Sequence, residues 1–112
     1  MLLEQQGLAT SPARPDVYLV LVGEQTELAG FRLAEQLRDA WPALRLQINL
    51  GGGNFKTQFK RADKSGAELA LVLAEDELAR GVAAVKWLRA ERAQEECPLD
   101  AISERLGMLL GL

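Results

Sequence analysis

The sequence predicts a single α/β domain, and three observations carry that prediction. Apolar runs of strand length at 17–22, 44–50 and 67–74 alternate with stretches of helical periodicity at 27–40 and 55–64. Glycine or proline follows most of these runs, as punctuation between elements requires. At 112 residues, with 48% hydrophobic and 26% charged residues, the chain has room for one core and an ordinary globular composition. Strand, helix, strand, helix, strand with right-handed crossovers makes these three strands parallel.

Residues 1–15 read as a linker from something upstream, with the domain proper over 16–112. Leu2, Leu3 and Leu8 are apolar, but Gly7 and the run from Thr10 to Pro15 form loops, and Pro12 and Pro15 disfavour helix just before them. The start of the chain is too short and too acidic for a signal peptide. Residues 17–22, VYLVLV, are continuously apolar and end at Gly23, which suits a central strand covered on both faces. A helix over 27–40 follows, with Thr26 as its N-cap and Leu33, Leu37 and Trp41 spaced at i, i+4 and i+8. Pro42 stops it.

Residues 44–50 alternate, with Leu44, Leu46, Ile48 and Leu50 inward and Arg45, Gln47 and Asn49 on a polar outer face. Gly51, Gly52 and Gly53 come next, then a helix with Asn54 as N-cap and Gly66 as stop. Residues 67–74 form another strand. Residues 82–92 are alanine-rich and read as helix on propensity, although Gly81 and the placement of Val85 and Trp87 also allow a strand. Residues 98–109 read as a terminal helix with Ile102, Leu106 and Leu109 as its apolar stripe.

The composition excludes several chemistries. There is no histidine and one cysteine, Cys97, so a Cys/His zinc site and a Ser-His-Asp or Cys-His mechanism within this chain are ruled out. No pair of carboxylates or lysines stands at a recognisable catalytic spacing. No metal, cofactor or catalytic residue is expected in this chain. Cys97 has no internal disulfide partner, so a reducing cytoplasm is the default compartment. No apolar run approaches the roughly 20 residues that span a bilayer, so no membrane partner is expected.

Net charge is −3, but it is unevenly spread. Residues 43–66 hold Arg45, Lys56, Lys60, Arg61 and Lys64 against Asp63 alone, and the excess acid lies elsewhere. A basic patch on an acidic body still binds phosphates and resists indiscriminate sticking. At about 100° per residue, Phe55, Phe59 and Ala62 share an arc of roughly 60°, the expected core stripe. Lys56, Lys60 and Lys64 share an outward arc of roughly 80°, with Arg61 about 60° beyond. The glycines ahead of the helix let backbone N–H groups approach a phosphate. They match neither GxxxxGK[ST] nor GxGxxG, and a plain tight loop is the alternative. The amides of Asn49, Asn54 and Gln58 suit the Watson–Crick edges of unstacked bases, although Asn54 also suits a helix cap. Tyr18 and Trp87 lie in apolar runs and read as core rather than as stacking groups.

The run GGGNFKTQFKRADKSGAELALVLAEDEL resembles the C-terminal anticodon-binding domain of bacterial histidyl-tRNA synthetase, a class II aminoacyl-tRNA synthetase. The family shows a glycine turn followed by N-F-K-x-Q-F-x-x-A-D-K, which stands here as Gly51 to Gly53, Asn54 to Phe59, and Ala62-Asp63-Lys64. The family's late V-K-x-L stands as Val85-Lys86-Trp87-Leu88. The third strand ends at Ala74-Glu75, where many relatives have glycine before the glutamate. The resemblance spans about residues 16–111.

The resemblance implies the class IIa anticodon-binding fold, a mixed five-stranded sheet flanked by three helices. It makes 82–89 a strand, against the propensity reading, and puts a short fifth strand near 93–97. It implies that tRNA(His) and its anticodon stem-loop are the partner. It implies a catalytic domain, absent here, that ligates histidine to tRNA with ATP and magnesium in a homodimeric parent, so this chain alone should not aminoacylate. By position it places Asn54, Lys56, Gln58 and Lys60 near the anticodon loop. Arg61 and Lys64 join them on charge, and Glu24 and Glu75 as acceptors for guanine. Two further readings stand beside this one: a regulatory or dimerisation module of the same fold without RNA, and a small-ligand binder using the glycine turn.

Overall fold

The computed structural model describes residues 15–49 and 52–112; the linker expected over 1–15 lies almost wholly outside the described residues, as do Leu50 and Gly51. The chain runs β1 (Val17–Val22), α1 (Thr26–Ala40), β2 (Leu46–Ile48), α2 (Phe55–Ser65), β3 (Leu69–Ala74), α3 (Glu75–Arg80), β4 (Val82–Trp87), β5 (Glu95–Pro98) and α4 (Ile102–Leu110). The five strands form one mixed sheet in the order β2-β1-β3-β4-β5. β1 pairs in parallel with β2 and with β3, while β3–β4 and β4–β5 are antiparallel.

The alternation of β1 sorts the core into two layers. Val17, Leu19 and Leu21 face α1 and α4 and pack with Leu33, Leu37, Ile102 and Leu106. Tyr18 and Val20 face the other way, toward Ala62 of α2 and the small residues Ala70, Val72 and Ala84. Leu19, Leu37, Leu71, Ile102 and Leu106 are fully buried, and each such side chain stabilises the fold by about 1.5–3 kcal/mol. The chain leaves β1 through α1 to β2 on one side, and returns through α2 to β3 on the other. The strand order therefore reverses at β1. The crevice beyond the carboxyl ends of β1 and its neighbours is a topological switch point, where open α/β sheets bind ligands.

Several expectations change. Among the described residues there are four helices rather than three: the unexpected one, α3, follows β3 directly, with the Glu77 carboxylate accepting from the Ala74 N–H at 3.2 Å. The 82–92 helix suggested by propensity is instead the strand β4, held between β3 and β5; tertiary pairing overrides an alanine-rich preference. Thr26 is not an N-cap. It is the first helical residue, Gln25 occupies the cap position, and the Thr26 hydroxyl donates to the Gly23 carbonyl at 2.7 Å. Phe55 is not in the core stripe: it remains 43% exposed, and Gln58 and Ala62 are the residues that α2 buries.

A candidate nucleic-acid interface on the second helix

The α2 helix starts where the sequence predicts and for the same reason. Asn54 has extended backbone, and its Oδ1 accepts from the Thr57 N–H at 2.9 Å. Gly66 ends the helix in the left-handed region, where a residue without Cβ is favoured. Lys56, Lys60 and Lys64 all lie exposed on the outward side. Among the described residues no carboxylate pairs with any of the three.

Asp63, the one acid of the basic segment, is engaged by a distant cation. Arg89 Nη2 lies 3.0 Å from Asp63 Oδ1 and also donates to the Asp63 carbonyl, while its Nε donates to Ala67 O at 3.3 Å. Lys86 of β4 adds a further cation beside α2, with Nζ 4.6 Å from the centre of the Phe59 ring. Sequence reasoning missed both residues as parts of the patch. Their signal was a lysine and an arginine within and just after an apolar strand, and only the β3–β4 pairing brings them alongside α2.

The glycine loop is held from below by two buried amides. β2 ends at Ile48, and among the described residues no strand lies opposite the Leu21 N–H and C=O, which point to the β2 side of β1. Gln58 fills that place: its Oε1 accepts from Leu21 N at 2.8 Å, and its Nε2 donates to Leu21 O at 2.6 Å and to Gly53 O at 2.8 Å. Gln58 is completely buried, so the expectation that it reads a base is corrected. Its amide completes a strand edge and anchors the loop.

Asn49, expected on an outer face, is 2% exposed. It lies just past the end of β2, where strand alternation no longer sets direction. Its Oδ1 accepts from the Tyr18 hydroxyl at 2.8 Å and from Arg61 Nη1 at 3.2 Å, and its Nδ2 donates to Gly52 O at 3.0 Å. Burial pushes the Tyr18 phenol above its ordinary value, and the charge of Arg61 partly opposes that. Arg61 Nη1 also donates to Gly52 O at 3.0 Å, so this guanidinium braces the loop instead of lying with the lysines. Gly52 and Gly53 have φ of 68° and 109°, conformations that residues with a Cβ adopt at a cost.

The two glutamates lie near the end of β1, Glu24 on the side of the glycine loop and Glu75 against Gly23. Glu24 and Glu27 line a cleft of about 340 Å³ together with Leu21, Gly23, Asn49, Gly52 and Gly53. The Glu75 side chain lies against Gly23, where an added Cβ would stand 2.3 Å from Glu75 Cγ. Glu24 and Glu75, both exposed, thus stand near the end of β1, with Glu24 lining the same cleft as the glycine loop. Among the described residues no group of three or more His, Cys, Asp or Glu is placed to hold a metal, and no helix is long and apolar enough to cross a membrane.

The family model described as "Anticodon binding domain" matches residues 16–108. The chain belongs to this family. Within this anticodon-binding domain, 86 residues are 55% identical to the histidine–tRNA ligase of Hydrogenovibrio crunogenus, a match over 77% of this chain and 20% of that protein. The domain thus spans about a fifth of the length of this relative.

Among solved structures, the apo histidyl-tRNA synthetase of S. aureus superposes with a TM-score of 0.72 at 26% identity, over 82% of this chain and 23% of that one. Histidyl-tRNA synthetase from Nostoc sp. PCC 7120 does so with 0.73 at 24%, over 88% and 23%. The RNA binding domain of threonyl-tRNA synthetase from Cryptosporidium parvum Iowa II gives 0.75 at 12% identity, over 85% and 23%, a likeness of fold alone. The mixed sheet and its helices are those of the histidyl-tRNA synthetase anticodon-binding domain.

Proposed function

We propose that this domain recognises the anticodon loop of tRNA(His) as the C-terminal module of a histidine–tRNA ligase. The observation that carries this reading is the set of three unpaired lysines on α2, beside a braced glycine loop at the switch point of the sheet. Lys56, Lys60 and Lys64 hold backbone phosphates and supply most of the affinity. Asn54, whose Oδ1 is spent on the helix cap, retains its amide N–H groups for a base. Glu24 and Glu75 offer acceptors that suit the N1–H and N2–H groups of guanine. Gln58 and Arg61 hold the loop from which this reading is done.

The ligase activity belongs, in this reading, to a catalytic region joined to this domain in the cytoplasm. That region would use ATP and magnesium and would form the homodimer. A titration with a stem-loop carrying the histidine anticodon, beside one with a changed anticodon, tests the proposal at two salt concentrations. The expected result is tighter binding to the histidine anticodon, with a log–log salt slope of roughly −2 for about three phosphate contacts. Equal affinity for the two loops reduces the function to a basic patch. Binding to neither favours a module of the same fold that works without RNA.

A further inference from the structure

We propose that Phe55 is a stacking platform for one unpaired base of a bound single-stranded RNA. The proposal rests on the RNA-binding reading above and adds a base site on the flank of α2, away from the glycine cleft. Helical periodicity alone would have buried Phe55. The demand of Leu21 for the Gln58 amide turns α2 so that Gln58 and Ala62 meet the sheet, and Phe55 is left at the margin, 43% exposed.

Phe55 lies nearly parallel to Phe59, with the ring planes 17° apart and the centroids 6.3 Å apart. Lys86 reaches over Phe59 from β4, a different element, at 4.6 Å. Lys56 follows Phe55 directly. Neither lysine has a carboxylate partner among the described residues. An exposed aromatic ring, backed by the partly buried ring of Phe59, is thus flanked by cations from two elements that have no carboxylate partner among the described residues. Every nucleobase offers a π-face, and its phosphates seek such cations, so this combination suits an unstacked nucleotide.

Three other exposed apolar residues have a different setting. Leu28 and Phe31 are 62% and 45% exposed on α1, and Met108 is 73% exposed on α4. Glutamates stand one helical turn from Phe31 and Met108, with Glu27 and Glu35 on either side of Phe31 and Glu104 before Met108, and Glu27 directly precedes Leu28. Arg32 offsets only part of that charge on α1, whereas no carboxylate stands within one turn of Phe55, so a polyanion is favoured at Phe55.

Two substitutions and one altered RNA test the site. Phe55→Leu keeps an apolar cover over Phe59 and removes the π-face; Phe55→Trp keeps both. Each protein is titrated with the histidine anticodon stem-loop, with versions carrying one abasic position at a time in the loop, and with an unstructured RNA hexamer. Stacking on one base predicts that Phe55→Leu weakens binding of the intact stem-loop about fivefold or more, with the salt slope unchanged, and that Phe55→Trp restores it. It also predicts one loop position whose abasic form weakens binding by the wild type but not by Phe55→Leu. Wild-type affinity in Phe55→Leu, or losses that add equally at every abasic position, would overturn the proposal. Phe55-dependent binding of the hexamer without preference between anticodons keeps the stacking site and sinks the anticodon reading. Binding of neither RNA overturns both.

Discussion

Gln58 is the residue on which the interface depends, although no ligand touches it. It supplies one acceptor and two donations to backbone groups that would otherwise be buried without partners. Gln58→Leu should therefore cost at least about 2 kcal/mol of stability, since unsatisfied buried groups cost about 1–3 kcal/mol each. Chemical denaturation checks this, and a change below 0.5 kcal/mol on that scale would show that water replaces the amide. The lysines should behave in the opposite way. Lys56→Glu combined with Lys60→Glu leaves the melting temperature nearly unchanged and makes the RNA salt slope shallower by about 1.4, at roughly 0.7 per phosphate contact on a single strand. An unchanged slope would take the phosphates off this face of α2. The exposure of the lysines could be read from spacing. The burial of Gln58 could not, because periodicity does not reveal that a neighbouring strand ends two residues short of the register position opposite Leu21.

At the scale of elements, the strand–loop–helix unit from β2 to α2 was legible from local signals, whereas β4 was legible only through the family resemblance and not from propensity. Asn54 and Gly66 are local signals that act within a turn of the helix, so the sequence alone locates both ends of α2. The state of 82–87 is set by partners distant in sequence, β3 and β5, and alanine propensity says nothing of them. The loop between β2 and α2 has its own test. Gly52 at φ 68° has open space around it, whereas Gly53 at φ 109° lies near Thr57 and Arg61. Gly52→Asn should be nearly neutral, because asparagine tolerates the left-handed region. Gly53→Val should cost about 1–3 kcal/mol and weaken RNA binding. Equal stability of the two variants, measured by thermal melting, would show that the loop relaxes freely.

For the molecule as a whole, charge segregation separates binding from stability. The sequence has no histidine and burial pushes the Cys97 thiol up, so RNA affinity should stay flat between pH 6 and 8. A sigmoidal change there would point to a group outside the described residues. The acid side differs. Hydrogen bonds from Arg105 hold the Glu95 carboxyl below its ordinary value, and those from Arg80 do the same for Glu96. A lowered folded pKa gives stability that is fully present above the ordinary value of about 4.3 and is lost as pH falls through the folded value. The melting temperature should therefore fall below about pH 4, and Glu95→Gln with Glu96→Gln should flatten that fall. A parallel curve in the double variant would assign the acid transition to other carboxylates. The fold class, the basic helix and the family were legible at this scale because they rest on order and composition. The contacts of Arg89 and Lys86 with α2 were not, since they exist only once the sheet has formed.

The inward bonds of Asn49, Gln58 and Arg61 also bear on the time course of binding. The Gly52 and Gly53 carbonyls already have partners before any ligand arrives, so this part of the surface has little rearranging to do on contact. Association should be a single kinetic step whose observed rate rises linearly with RNA concentration and shows no plateau. Salt should then act mainly on the rate of arrival, and base mismatches mainly on the rate of departure.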